Sequence, residues 1–219
     1  MIAELNKECQ DHLNTDGPNV VDAPVLIRSN RIYDCFKRVL DVTTSLLVGI
    51  FLLIPMLLVG ILICIDSPGP AIFRQERMGK NGQSFIIYKF RTMRQDAPVN
   101  MPTNDISRSY ITKVGAVLRR TSLDELPQLY NVLRGDMSIV GYRPVCLCEE
   151  ELNALRSRLG VFAVRPGITG LAQVKGRDNL GFREKAYLDA EYVRNLSARL
   201  DLWCLLKTVY IVISGEGVK

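Results

Sequence analysis

Histidine is almost missing from this chain: His12 is the only one in 219 residues. A Ser-His-Asp or Cys-His device needs an imidazole beside its nucleophile. His12 sits in a polar N-terminal stretch, away from every motif below, so that chemistry is excluded. A histidine-rich zinc centre is excluded with it. None of the six cysteines falls into a C-x-x-C pair, and Cys146 and Cys148 stand too close together for a zinc knuckle. Reduced, structural thiols are the reading, in keeping with an intracellular protein. Residues 1–14, MIAELNKECQDHLN, contain no apolar stretch of the kind that marks a secretory leader. No repeat and no low-complexity tract is visible. Charge of one sign is not in large excess either: 28 Lys and Arg against 23 Asp and Glu give a net +5. That balance suits an anionic ligand or a membrane surface and gives no ground for a nucleic-acid partner. The chemistry is left to carboxylates, hydroxyls, thiols or hard metals.

What is abundant is one apolar run. Val42–Ile65, VTTSLLVGIFLLIPMLLVGILICI, is 24 residues without a charge, more than the roughly 20 that cross a bilayer as a helix. A buried core helix is seldom apolar on every face over such a length, so membrane contact is expected. Pro55 lies near the middle of the run, where it removes one backbone hydrogen bond and collides with the carbonyl four residues back. A kinked spanning helix and a re-entrant hairpin both accommodate such a break. Arg28, Arg31, Lys37 and Arg38 precede the run, and Arg74, Arg77, Lys80, Lys89, Arg91 and Arg94 follow it. Basic residues on both flanks give no orientation for a single crossing and favour the re-entrant form.

Beyond the run, Asp66-Ser67-Pro68-Gly69-Pro70 is a turn cluster. Ala71–Phe73 and Ser84–Phe90 flank Gly79-Lys80-Asn81-Gly82 and read as a β-hairpin. Residues 95–110 read as a polar loop. Helical periodicity marks Ile111–Arg120, Leu126–Leu133, Glu149–Leu159, Phe182–Leu196 and Leu200–Ser214. The last of these is too short to span; it suits either the headgroup level, with Trp203 and Tyr210, or an ordinary core. The fold class expected is α+β and mostly helical. Residues 1–30 form an N-terminal extension, 31–66 a re-entrant membrane helix-break-helix, and 67–219 a cytoplasmic catalytic domain with a short β-hairpin and interfacial amphipathic helices.

The densest polar motif is Arg119-Arg120-Thr121-Ser122-Leu123-Asp124-Glu125-Leu126-Pro127-Gln128. Ser122-x-x-Glu125 has the spacing of a capping box, which is one reading of it. Pro127, comfortable only in a first turn, argues that the helix starts nearer Asp124 and leaves two carboxylates at its exposed end. Lys89, Arg91, Arg119, Arg120, Arg143 and Arg165, punctuated by Gly135, Gly141, Gly167, Gly170 and Gly176, read together as a phosphate-handling surface. Carboxylates with arginines and no histidine point to a hard metal bound to phosphate.

Four runs now carry a resemblance: Lys89-Phe90-Arg91-Thr92-Met93, Ser122–Gln128, Gly135–Pro144 and Arg165-Pro166-Gly167-Ile168-Thr169-Gly170. In this order and spacing they closely resemble the bacterial sugar transferase family, the monotopic polyprenyl-phosphate phosphoglycosyl transferases, over about residues 31–219. The chain resembles the minimal catalytic form of that family. Tyr142 departs from its usual Gly-Pro-Arg-Pro run. The resemblance implies transfer of a sugar-1-phosphate from a nucleoside-diphosphate sugar, with uridine as the expected base, to undecaprenyl phosphate, with release of the nucleoside monophosphate. It implies Asp124 as the nucleophile of an aspartyl-phosphosugar intermediate and Glu125 as a ligand of Mg2+. Lys89, Arg119, Arg143, Arg165 and Asp201 would bind substrate, and Pro55 would break the membrane helix. It implies a place on the cytoplasmic face of the bacterial inner membrane, at the first membrane step of polysaccharide or glycoconjugate biosynthesis. Membrane lipids are implied as partners, and downstream glycosyltransferases and a second copy of the chain remain open. Direct displacement without a covalent intermediate, and a catalytically dead membrane anchor, stand as the rival readings.

Overall fold

The computed structural model describes residues 31–98, 108–176 and 180–214. The extension expected over residues 1–30, with His12, and residues 99–107 of the polar loop lie outside the described residues.

The apolar run belongs to a bent pair of helices, α1 (Arg31–Phe51) and α2 (Leu53–Asp66), whose axes meet at 64°. The break falls at Leu52, next to the Phe51 carbonyl that a residue at position 55 would normally bond. Pro55 has no N–H to offer, and its ring needs the space of that carbonyl. Leu47, Phe51, Ile54 and Ile65 are exposed, an apolar surface of the kind found where a membrane or partner is met. No single helix among the described residues is long and apolar enough to cross a membrane; the bent pair passes only as a pair.

One face of α1 differs. Tyr33, Lys37, Asp41 and Ser45 recur at every fourth position and lie on one side of the helix, as 3.6 residues per turn requires. Asp41 and Ser45 are buried. Asp41 Oδ1 accepts the backbone N–H of Ile139 at 3.0 Å. Lys37 Nζ and Tyr33 Oη both donate to Asp201 Oδ2 at 2.7 Å.

After α2 comes the expected hairpin. β1 (Ile72–Met78) and β2 (Ser84–Phe90) pair antiparallel, with Ile72 opposite Phe90 and Met78 opposite Ser84, around a turn in which Asn81 takes φ 57°. β2 has the expected limits. β1 runs five residues past the expected Phe73, because Arg74, Gln75, Glu76 and Arg77 hide its alternation behind polar side chains.

The helices follow as α3 (Lys113–Thr121), α4 (Gln128–Arg134), α5 (Glu150–Arg158), α6 (Leu171–Lys175), α7 (Phe182–Arg194) and α8 (Ala198–Ser214). A second sheet, absent from the sequence reading, is a parallel pair of three-residue strands, β3 (Ser138–Val140) and β4 (Gly167–Thr169). It accounts for several motif glycines in another way. A Cβ on Gly141 or Gly170 would strike the backbone of the other run, so these residues let two strand ends approach closely. The main core lies between β3, α5, α7 and α8, with Tyr142, Leu159, Val161, Ala186, Tyr192 and Cys204 at its centre. α8 is half core and half bare: Cys204 and Ile211 are buried while Leu206, Val209, Tyr210 and Ile213 are exposed.

The two helices that frame the Asp124–Glu125 turn are tied to the bent pair. Asp66, the last residue of α2, accepts the N–H of Val114 in the first turn of α3 at 2.9 Å, which satisfies an otherwise orphan donor. Arg38 of α1 donates to the Val132 and Leu133 carbonyls at the end of α4, where a cation is favoured. Arg91, buried just past β2, gathers the carbonyls of Ser67 and Pro68 at the exit of α2.

Gly115 of α3 lies against the backbone of Thr92, and a Cβ there would collide with the Thr92 carbonyl. That carbonyl also accepts the N–H of Thr112 and cannot simply retreat. Gly115→Ala is therefore expected to cost about 1–3 kcal/mol, as overpacking does. It should also disturb Arg119, whose Nε donates to Thr92 Oγ1 at 2.9 Å. Thermal unfolding of the purified variant should show a midpoint several degrees lower.

Candidate active site

α3 stops at Ser122, which caps it in left-handed backbone with φ 57°. The chain then makes one turn of 3-10 helix over Leu123–Glu125 and enters α4 through Pro127, the residue before its first. Ser122 makes no side-chain capping bond. The capping-box reading of Ser122-x-x-Glu125 thus fails: Ser122 closes α3 and opens only the 3-10 turn, without a side-chain bond, and the Glu125 carboxylate faces elsewhere.

It faces two cations. Lys89 Nζ, from the end of β2, donates to Glu125 Oε1 at 2.9 Å, and Arg143 Nη2, from just beyond β3, donates to the same oxygen at 2.8 Å. The Lys89 and Glu125 side chains are 18% and 14% exposed, whereas that of Arg143 is 44% exposed. One side of the cluster is thus inside the protein and the other opens to an incoming ligand.

The electrostatics separate the adjacent carboxylates. Burial works against ionisation of Glu125, but Arg143 and Lys89 outweigh it and hold the carboxyl below its usual range. Asp124 is displaced the other way: burial first, then the neighbouring Glu125 charge, push its carboxyl above the usual range, against the pull of Lys89, Arg143 and Arg119. Burial also pulls the Lys89 ammonium below its ordinary value, opposed by Glu125. Glu125 is a fixed anion clamped between two cations, and Asp124 is a carboxylate whose charge is costly where it stands.

Two adjacent carboxylates are hard oxygen donors. Among the described residues, no three His, Cys, Asp or Glu converge on one point. Magnesium fits such a set, since it is usually held by one or two carboxylates, substrate phosphates and water.

The structure brings together Lys89, Glu125 and Arg143, with Asp124 in the same turn and Arg119 at the end of the preceding helix. The other two predicted substrate-binding residues have their bonds elsewhere. Arg165 Nε donates to the Gly135 carbonyl at 2.8 Å, the end of α4. Asp201 accepts from Tyr33, Lys37 and, at 2.7 Å, Tyr192, joining α1 to α7 and α8. Asn131 escaped the sequence reading. Its side chain accepts the N–H of Tyr88 and donates to the Ile86 carbonyl, matching the free edge of β2 and fixing the strand that carries Lys89 against α4. The Asn-x-x-x-Gly spacing that ends α4 shows the turn but not that contact.

Residues 32–215 match the family described as bacterial sugar transferase. The galactosyl transferase CpsE of Streptococcus agalactiae is 41% identical over 203 residues, which are 84% of this chain and 43% of that one. The UDP-glucose:undecaprenyl-phosphate glucose-1-phosphate transferase of Caulobacter vibrioides is 41% identical over 193 residues, 84% of this chain and 72% of that one. The exopolysaccharide production protein PSS of Rhizobium leguminosarum is 40% identical over 199 residues, covering 83% and 97%. The chain spans about half the length of some relatives, 43% and 48% in two of them, and nearly all of others. It belongs to the bacterial sugar transferase family.

Proposed function

We propose that this bacterial sugar transferase moves a sugar-1-phosphate from a uridine-diphosphate sugar to undecaprenyl phosphate, through a covalent intermediate on Asp124. The observation that carries the reading is the Lys89–Glu125–Arg143 cluster beside Asp124. It concentrates positive charge and locks one carboxylate, while burial and the Glu125 charge leave the adjacent one raised in energy. A carboxylate that is costly as an anion gains by forming a bond to phosphorus. Family membership, and the reactions named for the Caulobacter relative and for an undecaprenyl-phosphate galactose phosphotransferase of Salmonella typhimurium, support the donor and acceptor classes.

An Asp124 carboxylate oxygen attacks the sugar-bearing phosphorus, the bridging P–O bond breaks, and uridine monophosphate leaves with the electron pair. An oxygen of the lipid phosphate then attacks the same phosphorus and releases Asp124 as a carboxylate. Arg143, half-exposed at the open side, and Lys89 lower the repulsion between the diphosphate and the nucleophile. Arg119, held by Thr92, offers a further cation. Magnesium, held by Glu125, would supply additional neutralisation of the diphosphate. The bent α1–α2 pair enters the membrane and returns to the same face, bringing the site to the level where a lipid phosphate emerges. The face is the cytoplasmic one, where nucleotide sugars are found.

The test is monophosphate release from a panel of uridine-diphosphate sugars with undecaprenyl phosphate, alongside intact-mass detection of the phosphosugar on the protein. Release without any trapped adduct would favour direct displacement, and no release with any sugar would favour the anchor.

Glu125→Gln is expected to weaken the magnesium dependence and to lower the rate on the order of a hundred-fold, since an amide is a poorer hard-metal ligand and leaves the largely buried Lys89 and the half-exposed Arg143 without their counter-ion. Activity against magnesium concentration reads it. An unchanged magnesium midpoint with only lower stability would remove Glu125 from the metal role.

A further inference from the structure

Among the described residues, the largest side chain buried to less than 2% exposure is not apolar: it is Arg156 of α5. Its Nε donates to Asp189 Oδ2 on α7 at 2.9 Å, and its Nη2 donates to the same oxygen. Both side chains are 1% exposed. The third donor, Nη1, goes at 2.9 Å to the backbone carbonyl of Arg143. The guanidinium also lies 5.4 Å from the centre of the Tyr142 ring, which is packed edge-on against Phe162 at 5.5 Å.

Burying such a pair sacrifices several kcal/mol of hydration per ion, and well-packed apolar replacements are often as stable. Packing alone therefore does not account for it. Its outward connections all run to one place. Arg156 fixes the residue whose guanidinium meets Glu125, and it does so through the carbonyl of Arg143 and the ring immediately before it. Tyr142, where this chain departs from the Gly-Pro-Arg-Pro run, supplies a ring face that a proline lacks. From the other side, the Tyr142 carbonyl accepts the N–H of Gly167 at 2.8 Å.

We propose that Arg156, anchored by Asp189 and stacked on Tyr142, is the positioning residue that aims the Arg143 guanidinium at Glu125 and at the donor phosphates. The phosphate half rests on the reaction proposed above; the geometric half does not.

The main variant is Arg156→Met combined with Asp189→Leu, which removes both charges and keeps the volume. It is made in the natural background and in Arg143→Ala. With Arg143 present, kcat/KM for the donor should fall on the order of a hundred-fold, the scale of a small misplacement of a catalytic group. Without Arg143 the same pair should change it by less than about two-fold, because residues acting through one another are not additive. Should the pair fail to fold, Arg156→Lys carries the test, since one ammonium cannot serve Asp189, the carbonyl and the ring in fork geometry. A readout free of any reaction accompanies it. The Arg143 Nε–H resonance of 15N-arginine protein in micelles, assigned by its loss in Arg143→Ala, should move toward the solvent-exposed position in the variant. Equal losses in both backgrounds, or no loss, with that resonance unmoved, would overturn the proposal. A natural protein that releases no monophosphate would strike the proposed reaction and leave the resonance to decide this inference.

Discussion

Asp124→Asn is expected to abolish monophosphate release, by on the order of 10⁴-fold or more, as loss of a covalent nucleophile does. The phosphosugar adduct should vanish with it. An amide cannot give the oxygen anion that attacks phosphorus. The same change should raise the thermal midpoint. The folded-state pKa of Asp124 is raised by burial and by Glu125, so its contribution to stability is complete below the unfolded carboxyl pKa and is lost as pH rises through the folded value. At neutral pH the anion is a liability that asparagine removes. Glu125 has the opposite sign: its carboxyl is held low by Arg143 and Lys89 despite burial, so its contribution is present at neutral pH and lost only in acid. A dead variant that melts higher than the natural protein separates loss of chemistry from loss of fold. An adduct surviving in Asp124→Asn would remove this residue from the nucleophile role, and a dead variant that melts lower would contradict the electrostatic account of the turn.

The turn itself was legible from three residues. Pro127 forbids a helix interior upstream of it, so Asp124 and Glu125 had to sit ahead of the helix body; that they occupy a separate 3-10 turn before α4, with Glu125 only 14% exposed, was not legible. What the spacing could not show is that Ser122 belongs to the preceding helix. Its left-handed backbone at φ 57° and the missing side-chain capping bond exclude the capping box. β2 was legible because Asn81-Gly82 announces a hairpin and its apolar residues alternate. The β3–β4 pair was not. Three-residue parallel strands separated by a long crossover carry no periodicity, and their glycines resemble a phosphate loop until the partner backbone is in place. The polar stripe of α1 was present at every fourth position, yet beside a 24-residue apolar run Lys37, Arg38 and Asp41 read as flanking charge. For Arg165, inside a family motif, and Asp201, which the resemblance assigns to substrate, the fold adds what the sequence could not show: bonds to a carbonyl, and to two tyrosines and a lysine.

Those interior bonds also bear on the membrane. One end of the bent pair is tied to α4, β3 and α8 through Arg38, Asp41 and Lys37, and the other to α3 and β2 through Asp66 and Arg91. Both ends are therefore anchored to one catalytic body. α1 and α2 contain 21 and 14 residues, and joined through Leu52 without a break they would form a rod about 54 Å long at 1.5 Å per residue. Such a rod cannot return its far end to the body that holds its near end.

Pro55→Leu sets these two demands against each other. The substitution restores one helical bond and removes a ring clash, worth about 3 kcal/mol toward a straight helix. Against it stand the end anchors, of which the partly buried Lys37–Asp201 pair is one, and breaking such a pair costs a similar amount. The single variant should accordingly divide between forms, with turnover down by about tenfold. Adding Asp201→Asn, which weakens the hold on α1, should carry most molecules to the spanning form and nearly abolish turnover, although neither residue touches the Asp124 turn. An N-terminal tag reads the distribution. In the natural protein it should resist protease in intact spheroplasts and be cleaved in inverted vesicles, as expected when both ends of the bent pair are tied to one body. In Pro55→Leu a fraction should become cleavable in spheroplasts, and in the double variant most should. Cleavage of the natural protein's tag in intact spheroplasts would mean that the pair spans, and the re-entrant arrangement would be wrong. A double variant that keeps its tag protected and its turnover intact would show instead that Pro55 and the Asp201 anchor do not hold the bend, leaving the ties of Asp66 and Arg91 at the far end to account for it.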